Sequence, residues 1–336
     1  MSLKKIAEMT GLSITTVSHA INGTRPVSAA SKKKIAESIK AINFKPNLAA
    51  RMMKTSRSKT VVLIIPATEP NNSTNCFFFD VLNGAKTALE KHGYSLIIST
   101  YPENVLNFDL SLIPILQRIW VDGILLVPPS NSMEDIKSII NSNLPIVLID
   151  RKPKGCTLPV VYSDSKTISY KAVSLLLDSG RKRVAFLGVS SNNPTCCDRY
   201  AGYCEALYAH GIPVDKTIVR FYENNHASSL TEIINELIEH NIDSIFSANS
   251  MLALNVLKVI SERNLKIPED IAVIGFENLD WTQVTNPPLT AIVQDANAMG
   301  YRAAEILVDI LAGNQPKESC VVLPAKLIKR KSHSNT

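Results

Sequence analysis

Residues 11–23 read Gly11-Leu12-Ser13-Ile14-Thr15-Thr16-Val17-Ser18-His19-Ala20-Ile21-Asn22-Gly23 and contain no Glu, Asp, Lys or Arg. Val17, Ala20 and Ile21 recur at helical spacing. Ile14, Thr15, Ser18, His19 and Asn22 fall on the other face. Gly11 breaks the preceding segment, and Ser13 is placed to cap a new helix. The stretch predicts a short helix that buries one side and shows uncharged hydrogen-bonding groups on the other.

The flanking segments carry the same kind of pattern. Ser2 is placed to cap a first helix whose face is Leu3, Ile6 and Ala7. Val27-Ser28 opens a third helix with Ile35, Ile39 and Ile42 inward, and Lys32, Lys33, Lys34 and Lys40 around its exposed sides. Three short helices around one core, the second with short polar side chains outward, match a helix-turn-helix head. Hydroxyls, an imidazole and a carboxamide can hydrogen-bond to base edges, and Ile14 can meet a thymine methyl. A carboxylate there would repel phosphates. On pattern alone, a three-helix bundle with a merely polar surface is the alternative.

Charge sets this head apart. The 336 residues hold 36 Lys and Arg against 30 Asp and Glu, a net charge of +6. The first 60 residues hold 12 of the basic residues and only Glu8 and Glu37. The remainder is therefore slightly acidic. A patterned basic head on a neutral-to-acidic body is the electrostatic footprint of a phosphate-binding module. After it comes FKPNLAARMMKTSRSKT, residues 44–60, where Leu48–Lys54 is a run of helix formers too short to be stable alone. It predicts a marginal basic helix that folds only when docked, or else a plain linker.

From residue 60 apolar strand candidates alternate with amphipathic helices. The strands are expected at Val61–Pro66, Ser95–Thr100, Gly123–Pro128, Ile146–Asp150, Val160–Ser163, Val184–Val189, Ser244–Ala248, Ile271–Phe276 and Thr290–Gln294. Near-continuous apolar strands between helices predict parallel doubly wound sheets. Some 270 residues of this texture exceed one comfortable sheet, so two lobes are expected. Hydrophobic content of 45% and charged content of 20% are those of a globular protein, and no window approaches a transmembrane span. A cytoplasmic location is expected. The six cysteines, at 76, 156, 196, 197, 204 and 320, make no C-x-x-C, so no metal site is expected. The first body strand runs into ATEPNNSTN without a phosphate-binding glycine motif, and G-x-S-x-G and H-E-x-x-H are lacking. The chain is therefore expected not to be an enzyme and to need no cofactor.

Longer stretches carry a resemblance. LKKIAEMTGLSITTVSHAINGTRPVS (3–28), INFKPNLAARMMKTSRSKTVVLIIP (42–66), Val121-Asp122-Gly123, PIVLIDR (145–151), DSGRKRVAFLG (178–188), DRYAGYCEAL (198–207), FSANSMLAL (246–254), IPEDIAVIGFEN (267–278) and PPLTAIVQD (287–295) together resemble the LacI/GalR, or lactose-repressor/galactose-repressor, family over nearly the whole chain. The resemblance implies an all-α helix-turn-helix head at 1–45, a hinge helix and linker at 46–59, and an α/β periplasmic-binding-protein-like body at 60–336. One lobe would comprise about 61–161 and 293–319, the other about 162–292 and 320–336. It further implies a sequence-specific transcriptional regulator, in the first place a repressor. A homodimer would read a pseudo-palindromic double-stranded operator, and a small-molecule effector in the cleft between the lobes would gate it.

By the same resemblance, Ile14, Thr15 and His19 hold base-reading positions, with Thr16, Ser18 and Asn22 beside them. The family commonly has Arg where His19 stands. Ala50 and Arg51 match its hinge helix, at whose start Asn47 is a possible cap and DNA contact, and Met53 takes the place of its minor-groove leucine wedge. Asp164, Arg199, Asn249 and Glu277 match its effector pocket, with aromatics among Phe77, Phe78 and Phe79, Phe78 and Phe79 first, and at Phe221 or else Tyr222; Asp150 and Asp295 are further candidates. Three features depart from the pattern: Glu277 for the usual Asp, Ser250 for the usual Asp, and a longer ATEPNNSTNCFFFD segment. A sugar or sugar derivative is the expected effector, with a nucleoside or phosphosugar as the alternative. A ligand-binding module without DNA function is the competing reading.

Overall fold

The computed structural model describes residues 3–22, 25–42, 44, 57–67, 74–102, 109, 111, 113–117, 121–222 and 229–334. The chain divides into two compact units, 1–58 and 59–336.

The head unit has three helices, α1 (Leu3–Thr10), α2 (Ile14–Asn22) and α3 (Ala29–Ala41). Ile6, Ala7, Val17 and Ile35 form its buried core, with Leu3, Leu12, Ala20, Ile21, Ile39, Ile42 and Phe44 packed against them. Local chemistry sets the helix starts. The Ser13 hydroxyl accepts from the Thr16 amide at 3.0 Å, and Ser28 accepts from the Ser31 amide at 3.2 Å. Each cap satisfies a donor that the first helical turn cannot satisfy itself. The proposed Ser2 cap lies outside the described residues.

The body unit holds two six-stranded sheets. The first runs in the order β11-β5-β4-β3-β1-β2, with β1 at Thr60–Ala67, β2 at Ser95–Pro102, β3 at Gly123–Leu126, β4 at Ile146–Ile149, β5 at Val160–Ser163 and β11 at Cys320–Leu323. All its pairings are parallel. The second runs β12-β10-β9-β8-β6-β7, with β6 at Val184–Gly188, β7 at Val219–Phe221, β8 at Ser244–Ser247, β9 at Ala272–Phe276, β10 at Thr290–Val293 and β12 at Lys326–Ile328. It is parallel except for β12, which runs antiparallel to β10. Parallel strands covered on both faces must be apolar throughout, and β3, β4, β6 and β9 are buried at every position.

Helices α4 (Thr74–Lys91) and α11 (Ala296–Leu311) pack on the first sheet. They touch backbone to backbone: a Cβ at Gly84 would stand 1.9 Å from the Asn297 carbonyl oxygen, and one at Gly300 1.9 Å from that of Val81. In the second lobe α6 (Ser165–Asp178) meets α7 (Pro194–Ala209) the same way, through Gly202 and the Lys166 carbonyl. Helices α8 (Leu230–Glu239), α9 (Ser250–Glu262) and α10 (Trp281–Val284) cover the opposite side of the second sheet. A short α5 (Lys137–Ile140) lies between β3 and β4.

The chain passes between lobes three times: from β5 into α6, from β10 into α11, and from β11 to β12. This moves the expected lobe boundaries. Residues 162–163 complete β5 in the first sheet, and Val293 completes β10 in the second. Residues 320–323, expected in the second lobe, pair with β5 in the first, Cys320 opposite Val160 and Leu323 opposite Ser163. Val321 is buried in the first lobe's core. Only from Lys326 onward does the C-terminal segment belong to the second sheet. Strands β7, β11 and β12, which lie at sheet edges and are exposed or half-buried at most positions, are not among the strands expected from the sequence.

Candidate nucleic-acid interface and ligand cleft

On α2 the buried Val17 turns toward the head's core. Ile14, 48% exposed, and the exposed Thr15 stand on the open side. Ser18 and His19 are half-buried. The Thr16 and Ser13 hydroxyls hydrogen-bond each other at 2.8 Å, so Thr16 is engaged at the helix start. Asn22 ends the helix, and its side chain lies outside the described residues. Asn47, Ala50, Arg51 and Met53 lie outside them as well. Lys32, Lys33 and Lys34 are exposed on the neighbouring α3. An uncharged polar helix flanked by exposed ammonium groups can approach a polyanion and present hydrogen-bonding groups to its interior.

The second site lies at the carboxyl ends of the body strands, where open α/β sheets bind ligands. Asp150 follows β4 and Glu277 follows β9. These two strands hold equivalent places in the two sheet orders. Both residues adopt a left-handed φ of 66°, and both are buried, at 9% and 8% exposure. A left-handed backbone costs energy for a residue with a Cβ and persists where the surroundings over-determine it, as at functional sites.

Arg199, on α7, is 7% exposed. It donates from Nη1 to the Ala248 carbonyl at 2.6 Å and from Nη2 to Gln294 Oε1 at 3.2 Å. Its guanidinium lies over the Phe276 ring, 3.7 Å from the centroid. Burial pulls its pKa below the ordinary value, and Asp150 and Glu277 oppose this. Glu277 responds in reverse: burial pushes its carboxyl up, while Ser250 and Arg199 hold it down. Glu277 Oε2, Arg199 Nε and Gln294 Nε2 are buried with no hydrogen-bond partner among the described residues. A bound molecule supplying the complementary atoms would remove the cost of leaving such groups unpaired. Asp198 is also pushed up, first by burial, with the charges of Asp164 and Asp150 adding to it.

The other candidates are more deeply committed to the fold. Asp164 caps α6 by accepting from the Thr167 amide at 3.0 Å. Asn249 caps α9, accepting from Met251 at 2.9 Å and Leu252 at 3.4 Å. Asp295 caps α11 through the Ala298 amide at 2.9 Å. Phe78 packs with Phe77 in the first lobe's core, their centroids 5.4 Å apart, while Phe79 is 60% exposed. Three consecutive helical residues cannot share a face, so the run splits between core and solvent. Phe221 is half-buried against the second lobe's core, 5.6 Å from Phe186 and 5.5 Å from Tyr200. Gln294, Phe276 and Arg151 escaped the sequence reading. Arg151 Nη1 donates to the Pro128 carbonyl at 3.0 Å, and its Nε stands 3.8 Å from Asp150 Oδ2. Their only sequence signal is position, directly beside Asp295, Glu277 and Asp150 at strand ends. The lobes meet where the Asn131 amide donates to the Asn192 carbonyl at 3.0 Å.

A helix-turn-helix head joined to a two-lobed α/β body with a buried polar cleft defines an effector-gated DNA-binding regulator. Residues 2–47 match the family described as bacterial regulatory proteins, lacI family, and residues 173–333 match the periplasmic binding protein-like domain. The chain is 27% identical over 336 residues to the HTH-type transcriptional repressor PurR of Pasteurella multocida, covering 98% of each. Among solved structures it is similar to the transcriptional regulator CelR–cellobiose complex, with a TM-score of 0.73, 26% identity and 99% of each chain covered. It shares its fold with the lac repressor dimer bound to operator and the anti-inducer ONPF, with a TM-score of 0.84, 21% identity and 99% of each chain covered. The chain thus carries the paired domains of a LacI/GalR-type transcriptional regulator.

Proposed function

We propose that the protein is a dimeric, cytoplasmic, sequence-specific repressor whose operator binding is switched by a neutral polyhydroxylated molecule, a sugar or sugar derivative, held between the lobes. The observation that carries this reading is the cluster of the buried Arg199 and Glu277 with the half-buried Gln294, in which Arg199 Nε, Glu277 Oε2 and Gln294 Nε2 are buried with no hydrogen-bond partner among the described residues, beside the buried Asp150. Guanidinium, carboxyl and amide groups together offer the mixed donors and acceptors that hydroxyls require. The CelR relative was solved with cellobiose, which favours the same ligand class. An anionic ligand would meet Asp150, Asp164, Asp198 and Glu277, which supports a neutral one over a phosphosugar. The gathered side chains already hold fixed hydrogen bonds, which supports binding without turnover. Exposed apolar residues support self-association: Ile97 and Ile98 on the edge strand β2, Phe79 on α4, Leu254 on α9 and Val284 on α10.

A thermal-shift panel of free sugars, sugar acids, phosphosugars and nucleosides tests the reading. A ligand at a hundredfold excess over its Kd stabilises by about 2.7 kcal/mol. A free sugar that raises Tm in wild type but not in Glu277→Ala, and that changes affinity for an operator duplex, is the expected result. Stabilisation by phosphosugars or nucleosides alone would overturn the ligand class.

A further inference from the structure

We infer that Asp122 and Tyr94 are positioning residues for operator binding, because they anchor Lys59, the first residue of the body, and so set where the connecting chain leaves it. The boundary between the two units falls between Ser58 and Lys59. Whatever passes along the chain from body to head passes through this residue. Lys59 is held from three sides, all within the body. Its amide donates to Asp122 Oδ2 at 2.9 Å. Its carbonyl accepts from the Ser95 amide at 2.8 Å. Its ammonium lies over the Tyr94 ring, 4.0 Å from the centroid.

The geometry of the sheet explains the grip. Strand β1 lies between β3 and β2, with Val61 opposite Gly123 and Thr60 opposite Ser95. Lys59 is thus flanked by the leading residues of both neighbours. Asp122 also donates its own amide to the Thr60 carbonyl at 2.8 Å, so its carboxylate is fixed by the strand it serves. Tyr94 is buried in the first lobe's core. Lys59 takes a left-handed φ of 55°, a conformation that a residue with a Cβ adopts only when its contacts hold it there. A carboxylate–amide bond and a cation over an aromatic face are both stronger than their neutral counterparts. A simple sheet terminus needs neither. The arrangement is that of a fixed exit point.

The inference rests on the reading that two chains present paired heads to one operator. When one head is bound, the second binds at an effective concentration set by where the connecting chain leaves the body and by how many residues it spans. Loosening the anchor returns backbone freedom that operator binding must remove again. One residue's worth of freedom corresponds to about tenfold in affinity.

The test uses the full chain and an operator duplex that the wild-type protein selects from a random-sequence pool, with a scrambled duplex of the same composition as reference. In Asp122→Ala, operator affinity is expected to fall about tenfold, scrambled-duplex affinity to stay within about twofold, and Tm to stay near wild type. Asp122→Asn keeps an acceptor for the Lys59 amide and should recover most of the loss. Tyr94→Leu leaves both backbone bonds in place and should cost about threefold, which keeps the inference testable if Asp122→Ala does not fold. A merely structural role would move Tm and both duplexes together. An unchanged operator-to-scrambled ratio in well-folded variants overturns the inference. Sedimentation of the complex separates the two failures: one chain per operator refutes the paired-head reading, whereas two chains with an unchanged ratio refute the anchor alone.

Discussion

Replacing Arg199 by lysine keeps the charge and removes the fork, and its cost follows from the contacts. The guanidinium reaches two acceptors in different directions, the Ala248 carbonyl and Gln294 Oε1, and lies flat on Phe276. A lysine Nζ reaches one acceptor and has no plane to stack. One hydrogen bond to a charged group is lost, worth about 1.5–3 kcal/mol. The stacked contact is lost too, worth roughly 0.5–2 kcal/mol. Part of this is recovered as lysine settles on its remaining partner, so Arg199→Lys is expected to destabilise the body by about 2–4 kcal/mol. At roughly 2–4 °C per kcal/mol for a unit of this size, Tm falls by about 4 °C at the least. Arg199→Met should be worse, because it leaves Glu277 buried without its opposing charge, a situation that costs about 3–5 kcal/mol. Thermal and urea unfolding at pH 7, followed by circular dichroism, measures both. A lysine variant within about 1 °C of wild type would refute the reasoning, and so would a methionine variant as stable as the parent.

Glu277→Gln removes the ionisation whose pKa burial raises above its ordinary value of 4.5. A carboxyl with a raised folded pKa binds its proton more tightly in the native state, so wild-type stability falls as pH rises through the window above 4.5. The variant should flatten that slope between pH 5 and 8 in paired urea titrations; parallel slopes would contradict the assignment. Gly300→Ala places a Cβ 1.9 Å from the Val81 carbonyl oxygen, so α4 and α11 must separate. A loss of about 2 kcal/mol or more in urea unfolding, or insoluble protein, is expected; a variant as stable as wild type would contradict the close approach of the two helices. His19→Arg should shift the preferred base at one operator position toward guanine, since Arg can donate two parallel bonds to it; selection from a random duplex pool reads this out, and an unchanged consensus would remove His19 from the base-reading set. Ser28→Ala removes the α3 cap and should cost the head about 1 kcal/mol, visible in its own unfolding transition.

The cleft was legible in part. Asp164, Arg199, Asn249 and Glu277 stand out by resemblance, and the structure sets Asp164 and Asn249 at helix starts, Glu277 just past a strand end and Arg199 within α7. Their division of labour was not legible. Asp164 and Asn249 satisfy helix amides, while Arg199 and Glu277 retain unpartnered buried atoms. Capping and ligand binding draw on the same residue types at the same spacing, so only the hydrogen-bond partners separate them. Phe78 and Phe79 looked alike in sequence and part by one helical step of about 100°.

The amino-acid sequence by itself determined the three-helix head, with its caps at Ser13 and Ser28, and the alternation of apolar strands with amphipathic helices in the body. Those features depend on neighbours within a few residues, and the 3.6-residue period, the cap chemistry and the apolar runs record them directly. The tertiary structure alone decided the rest. It placed Cys320–Leu323 beside β5 and Lys326–Ile328 beside β10. It also buried Ser332 and His333, from a tail that reads as polar, with the Ser332 hydroxyl donating to the Val273 carbonyl at 2.6 Å and His333 Nδ1 2.8 Å from the Thr290 hydroxyl. It brought Asp150 and Glu277, 127 positions apart, to matching strand ends with the same left-handed backbone. Pairings between residues so far apart leave no periodic trace in either segment. They exist because the two sheets, once packed, leave one set of strand ends facing one cleft.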